Sequence, residues 1–129
     1  MTQEKATPQN LTVLFIDDEE LMRDVASMMF EDVGWKSILA TGGKNGVDLY
    51  KEFQDEIDVS IIDFSMPEMN GIETAQAIRN LNEKAKIIMI SGLVSDDDLS
   101  DLADGEHKVA FLAKPFHFED LVDCVSETI

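Results

Sequence analysis

Four apolar stretches of this 129-residue chain each end on a reactive side chain. "VLFIDDEE" delivers Asp17 and Asp18, "VSIIDFSMPEMNG" delivers Asp63, "IIMISG" delivers Ser91 and "FLAKPF" delivers Lys114. Were the first and second of these stretches neighbours in space, three carboxylates would converge. Unit charges about 4 Å apart repel by roughly 4 kcal/mol at the effective dielectric of a protein surface. A positive partner has to offset that. A hard divalent cation does so with oxygen ligands, and Mg²⁺ in particular takes one or two carboxylates, several waters and a phosphate oxygen. Lys114 adds a second positive charge on a flexible stem, suited to a phosphoryl oxygen or to a carboxylate awaiting one. Singly, each piece has a plainer reading. Adjacent acids form turns and helix caps, and Glu19 and Glu20 suit the start of a helix through its dipole. Ser-Gly and Lys-Pro are ordinary loop pairs. Their joint occurrence after four apolar runs is what points to a site.

The elements that must position these side chains follow from the hydrophobic pattern. "LTVLFI" (Leu11 to Ile16), "SILA" (Ser37 to Ala40), "IDVSII" (Ile57 to Ile62), "AKIIMI" (Ala85 to Ile90) and "KVAFLA" (Lys108 to Ala113) read as strands. Between them lie helical spacings. Glu19 to Val33 repeats apolar residues at Leu21, Val25, Met28, Met29 and Val33, and Gly34 ends it. Val47, Leu49, Tyr50 and Phe53 suggest a second helix, and Gly71 to Leu81 a third with Ile72, Ala75, Ile78 and Leu81 on one side. "SDDDLSDLADG" reads as a short, weakly held fourth helix and "FEDLVDCVSETI" as a fifth. Strict β-then-α alternation argues for a parallel sheet with helices on both faces. Near-continuous apolar strands agree, because both their faces are then buried. Right-handed crossovers make the sheet doubly wound, and such sheets carry their sites at the carboxyl ends of the strands.

Composition narrows the class. Ten Lys and Arg against 27 Asp and Glu leave a formal charge of -17, which repels nucleic acid and anionic membrane surfaces. The lone Cys124 permits no internal disulfide, fits a reducing compartment and reads as a small core residue. No run approaches the roughly 20 apolar residues of a membrane span, and no basic-then-apolar signal pattern opens the chain. A cytoplasmic protein is expected, with a loose lead over residues 1–10 and one domain over 11–129.

The four quoted motifs, in this order and at these spacings, resemble the response regulator receiver domain of the chemotaxis single-domain type, across Leu11 to Ile129. The resemblance implies a flavodoxin-like fold with strand order 2-1-3-4-5 and five helices. It implies that Asp63 accepts a phosphoryl group from a sensor histidine kinase or a histidine phosphotransfer protein. It further implies that Asp18, Asp63 and the main-chain carbonyl of Ser65 hold Mg²⁺, that Asp17 acts through water, and that Lys114 contacts the phosphoryl group. Ser91 and Phe111 would be the switch residues, the aromatic ring moving inward with the hydroxyl. Pro67 and Gly71 match the family's turn after the acceptor. Ser65 and Leu93 occupy positions at which the family tunes phosphoryl lifetime. The family's usual output face is the fourth helix, fifth strand and fifth helix. Here the fourth helix is unusually acidic and poor in apolar anchors, which leaves room for a downstream target unlike the familiar ones.

Other classes fit less well. A flavodoxin-like electron carrier shares the architecture, but its flavin phosphate needs a donor-rich loop where "DDEE" stands. A haloacid dehalogenase-type phosphohydrolase also uses an Asp nucleophile, yet wants an acid two residues later, where this chain has Ser65. The receiver segment of a hybrid sensor kinase or larger regulator keeps the fold and changes the context; Met1 favours a complete chain.

Overall fold

Each apolar run becomes a strand. The computed structural model of the chain describes residues 8–92 and 109–129. In it β1 (Thr12–Ile16), β2 (Lys36–Ala40), β3 (Val59–Asp63), β4 (Ile87–Ser91) and β5 (Ala110–Ala113) pair in parallel as one sheet of order β2-β1-β3-β4-β5. β1 and β3 are therefore neighbours, with Ile16 beside Ile62 in register. Four helices connect or follow the strands among the described residues: α1 (Glu20–Asp32), α2 (Gly43–Phe53), α3 (Gly71–Leu81) and α4 (Phe118–Thr128). The helix expected in "SDDDLSDLADG" and the position of Leu93 lie outside the described residues, so α4 is the fifth helix of the sequence reading.

Side chains alternate across a strand, so an unbroken apolar run feeds two cores at once. On one face Leu14, Ile16, Ile62 and Met89 pack with Tyr50 of α2 and Ala75 and Ile78 of α3. On the other, Val13, Phe15, Ile61 and Ile88 pack with Ala26 and Phe30 of α1 and Leu121 and Val125 of α4. Fully burying a side chain such as Phe30 or Ile78 contributes on the order of 2 kcal/mol. Cys124 is half-buried at the rim of the second core. Among the described residues, no helix is long and apolar enough to cross a membrane.

The face of α1 differs from expectation. Leu21, Val25 and Met28 are 73%, 42% and 70% exposed, while Ala26 and Phe30 are buried. Two stripes of helical spacing, one residue apart, compete in this helix, and Phe30 decides between them. Its ring lies edge-on to Phe15 (centroids 5.9 Å apart), stacks on Trp35 at 5.9 Å and meets Phe118 at 5.5 Å. No residue of the exposed stripe offers comparable aromatic packing. Gly34 ends α1 as expected, at φ +85°, the left-handed conformation that glycine adopts without strain.

α3 starts on a capping box. Asn70 Oδ1 accepts from the Glu73 amide at 2.9 Å, and Glu73 Oε1 accepts from the Asn70 amide at 3.1 Å. This pins the helix directly after the loop that follows Asp63. Leu81, expected on the buried side, is 38% exposed where the helix ends.

Candidate functional site

The carboxyl ends of the strands bring the reactive residues together. Asp17 follows β1, Asp63 ends β3, Ser91 ends β4 and Lys114 follows β5. Asp17, Asp18 and Asp63 each offer a carboxylate oxygen, all within 4.8 Å of one another. Lys114 Nζ lies 3.0 Å from Asp63 Oδ1. The Lys114 amide donates to the Ser91 carbonyl at 2.8 Å, so β5 delivers the lysine beside the end of β4. The peptide bond from Lys114 to Pro115 is cis.

The two buried acids are held differently. Asp17 is 2% exposed; its amide donates to the Ala40 carbonyl at 3.2 Å, and its Oδ1 accepts from the Glu19 amide at 2.9 Å. Its carbonyl accepts from Arg23 Nη1 at 2.9 Å. Asp63 is 6% exposed and is paired with Lys114. Asp18 is exposed.

Electrostatics follow from burial. Burial pushes the Asp63 carboxyl above the ordinary carboxylate range, against the Lys114 hydrogen bond and charge, which pull it down; Asp18 and Glu19 push it further up. Burial also raises Asp17, opposed by the Glu19 amide and assisted by the charge of Asp63. For Lys114 burial acts downward, but the Asp63 hydrogen bond and the surrounding carboxylates outweigh it and hold the ammonium above its usual range. Among the described residues the site thus carries excess negative charge with one ammonium against it, and its buried carboxylates lack full compensation.

The remaining sequence candidates are nearby. Ser91 Oγ is buried and has no hydrogen-bond partner among the described residues. Phe111, in register with Met89, is half-buried against the core that holds α2 and α3. Ser65 is exposed in the loop after Asp63. That loop is tight: the Gly71 amide donates to the Phe64 carbonyl at 2.9 Å, and the Met69 amide to the Pro67 carbonyl at 2.7 Å around Glu68 at φ +67°. A Cβ on Gly71 would stand 2.8 Å from the Asp63 carbonyl oxygen and 2.7 Å from Phe64 Cα. Trp35 sits before β2, at the opposite end of the sheet, with Nε1 donating to the Pro8 carbonyl at 2.7 Å. It packs, as expected, and does not border the site.

Two features escaped sequence reasoning. Arg23 is the sole basic residue of α1, and nothing in its spacing announces a bond to Asp17. An open groove of about 680 Å³ also runs beside the site, bordered by Met22, Val25, Met29, Lys114 and Phe116. The exposed stripe of α1 adjoins it through Val25.

Comparison with known proteins agrees with this arrangement. The sequence pattern of the response regulator receiver domain matches residues 13–126. The chemotaxis protein CheY of Bacillus subtilis is 30% identical over 122 residues, covering 91% of this chain and 96% of that protein. The autoinducer 1 sensor kinase/phosphatase LuxN of Vibrio campbellii is 33% identical over 91 residues, 70% of this chain, and the matched part is 10% of that kinase's length. Among solved structures, a chain of the CheX–CheY–BeF3–Mg²⁺ complex from Borrelia burgdorferi superposes with a TM-score of 0.83 at 28% identity, covering 92% of this chain and 89% of that one.

Proposed function

Since the chain belongs to the response regulator receiver domain family, the phosphorylation-dependent switches of two-component signalling, we propose that Asp63 is the residue phosphorylated. One observation carries this reading: a buried carboxylate at the end of the central strand, 3.0 Å from an ammonium and within 4.8 Å of two further carboxylates. An Asp63 carboxylate oxygen attacks the phosphorus of a phosphohistidine on a sensor histidine kinase or histidine phosphotransfer protein. The P–O bond forms as the P–N bond breaks, and the imidazole nitrogen keeps the electron pair. Catalysis of such a transfer is positioning and charge stabilisation, for which the chain supplies Lys114. The domain catalyses its own phosphorylation and dephosphorylation and is otherwise not a conventional enzyme.

The acid trio fits a hard cation, since among the described residues three carboxylates share the site with a single ammonium. Asp18, Asp63 and the main-chain carbonyl of Ser65 would hold Mg²⁺, with Asp17 acting through water. When bound, the ion neutralises the phosphoryl oxygens as charge develops on them. The relative crystallised with BeF3 and Mg²⁺ supports this assignment.

Phosphorylation adds about -1.5 to -2 charge and three acceptor oxygens. The Ser91 hydroxyl, without a partner among the described residues, turns to one of them, and Phe111 follows it inward to alter a partner-binding face. Phe111 has no hydroxyl, so its part in the switch rests on packing. The partners are a cytoplasmic phosphodonor and a protein target, with no nucleic acid or membrane bound through this domain.

The deciding experiment is intact-protein mass spectrometry after incubation with acetyl phosphate and Mg²⁺. The unaltered chain gains one phosphoryl group and Asp63→Asn gains none. No gain by the unaltered chain, under conditions that label another receiver, would overturn the reading.

A further inference from the structure

Arg23 has no role in the function above, yet it reaches into the site. Its Nη1 donates at 2.9 Å to the main-chain carbonyl of Asp17. That carbonyl belongs to the peptide plane joining Asp17 to Asp18. Upstream, Asp17 is held through its amide on the Ala40 carbonyl, and its carboxylate bridges the same plane to the Glu19 amide at 2.9 Å. The Asp18 amide and carboxylate make no hydrogen bond among the described residues. The Arg23 bond adds a second restraint on ψ of Asp17 and φ of Asp18, and a net change in either reorients Asp18 and its carboxylate while β1 stays in place.

We infer that Arg23 is a positioning residue for the cation site: its guanidinium pins the Asp17–Asp18 peptide plane and so aims the Asp18 carboxylate at the position it shares with Asp17 and Asp63. The inference rests on the reading that these acids hold Mg²⁺. Charge and geometry predict opposite signs here. A guanidinium near a dication repels it, so by charge alone removing Arg23 would tighten Mg²⁺ binding. As an outer support of a ligand, its removal weakens binding, typically at least about ten-fold.

Isothermal titration of Mg²⁺ into the full chain separates the two. Arg23→Met, which keeps much of the stem and removes the donors, is expected to bind about ten-fold more weakly. Arg23→Lys, whose ammonium can donate to the same carbonyl, is expected to recover most of that loss. If Arg23→Met folds poorly, Arg23→Gln, with a head too short to reach, takes its place. Binding by Arg23→Met or Arg23→Gln that equals or exceeds the unaltered chain overturns the inference. So does an Arg23→Lys as weak as Arg23→Met, because a general packing role would then suffice. Asp18→Asn is the control: if it weakens binding while Arg23→Met does not, the inference alone fails. If the unaltered chain shows no saturable binding, the Mg²⁺ reading fails and takes the inference with it.

Discussion

Asp17 and Asp63 are carboxylates that the fold makes harder to ionise, and this has a consequence for stability. Burial, the largest cause, raises both above the ordinary aspartate value of 3.8. A raised value in the folded state means that the folded chain binds the proton more tightly than the unfolded chain. The stability these groups contribute is full below the unfolded value near 3.8 and is lost as pH rises through the folded value. At neutral pH without Mg²⁺ they therefore weigh against folding. Asp17→Asn keeps an oxygen for the Glu19 amide and removes a charge, so it should raise stability at pH 7 in chelator by about 1 kcal/mol, a few degrees in melting temperature. The gain should shrink as pH is lowered toward 4. A melting temperature below that of the unaltered chain at pH 7 would contradict this. At this scale the sequence was largely legible, because a carboxylate after an apolar run is conspicuous. What it could not show was the Lys114–Asp63 contact, which joins residues 51 apart, or the burial that makes Asp17 and Asp63 costly.

The elements carry two constraints of their own. Gly71 starts α3 with no room for a side chain: an added Cβ would meet backbone of Asp63 and Phe64, which cannot yield cheaply. Gly71→Ala should therefore displace the acceptor, lowering stability by about 1–3 kcal/mol and slowing phosphorylation from acetyl phosphate. Normal labelling and an unchanged melting temperature would show that the loop gives way instead. The second constraint is the apolar stripe that α1 leaves exposed at Leu21, Val25 and Met28. It adjoins the groove next to Lys114, and a protein phosphodonor would cover it. Met28→Asp should slow transfer from a phosphohistidine protein about ten-fold and leave labelling by acetyl phosphate unchanged. Equal rates with both donors would remove α1 from the docking face. The strands and the ends of the described helices were readable from sequence because each run and each stop signal is local. The facing of α1 was not, since both of its stripes have helical spacing and only Phe30's aromatic neighbours chose between them.

For the molecule as a whole, a formal charge of -17 implies self-repulsion that any salt relieves. A specific site adds to that. At equal ionic strength MgCl₂ should raise the melting temperature more than NaCl, by an amount that grows with Mg²⁺ concentration as expected for binding to the folded state alone. Asp18→Asn should abolish the difference; identical curves for the two salts would mean screening only. The sheet order unites these scales. Alternation of strands and helices, continuous apolar runs and the residues that end them are written in contiguous segments, so the sequence by itself determined the fold class and the identity of the reactive side chains. Proximity is not contiguous. The order that puts β1 beside β3 reached the sequence reading only through the family resemblance and not through any local pattern; that Lys114 stands 3.0 Å from Asp63 and that Arg23 reaches the Asp17 carbonyl were decided by tertiary structure alone. Each depends on packing two cores against one sheet, and no local segment contains that information.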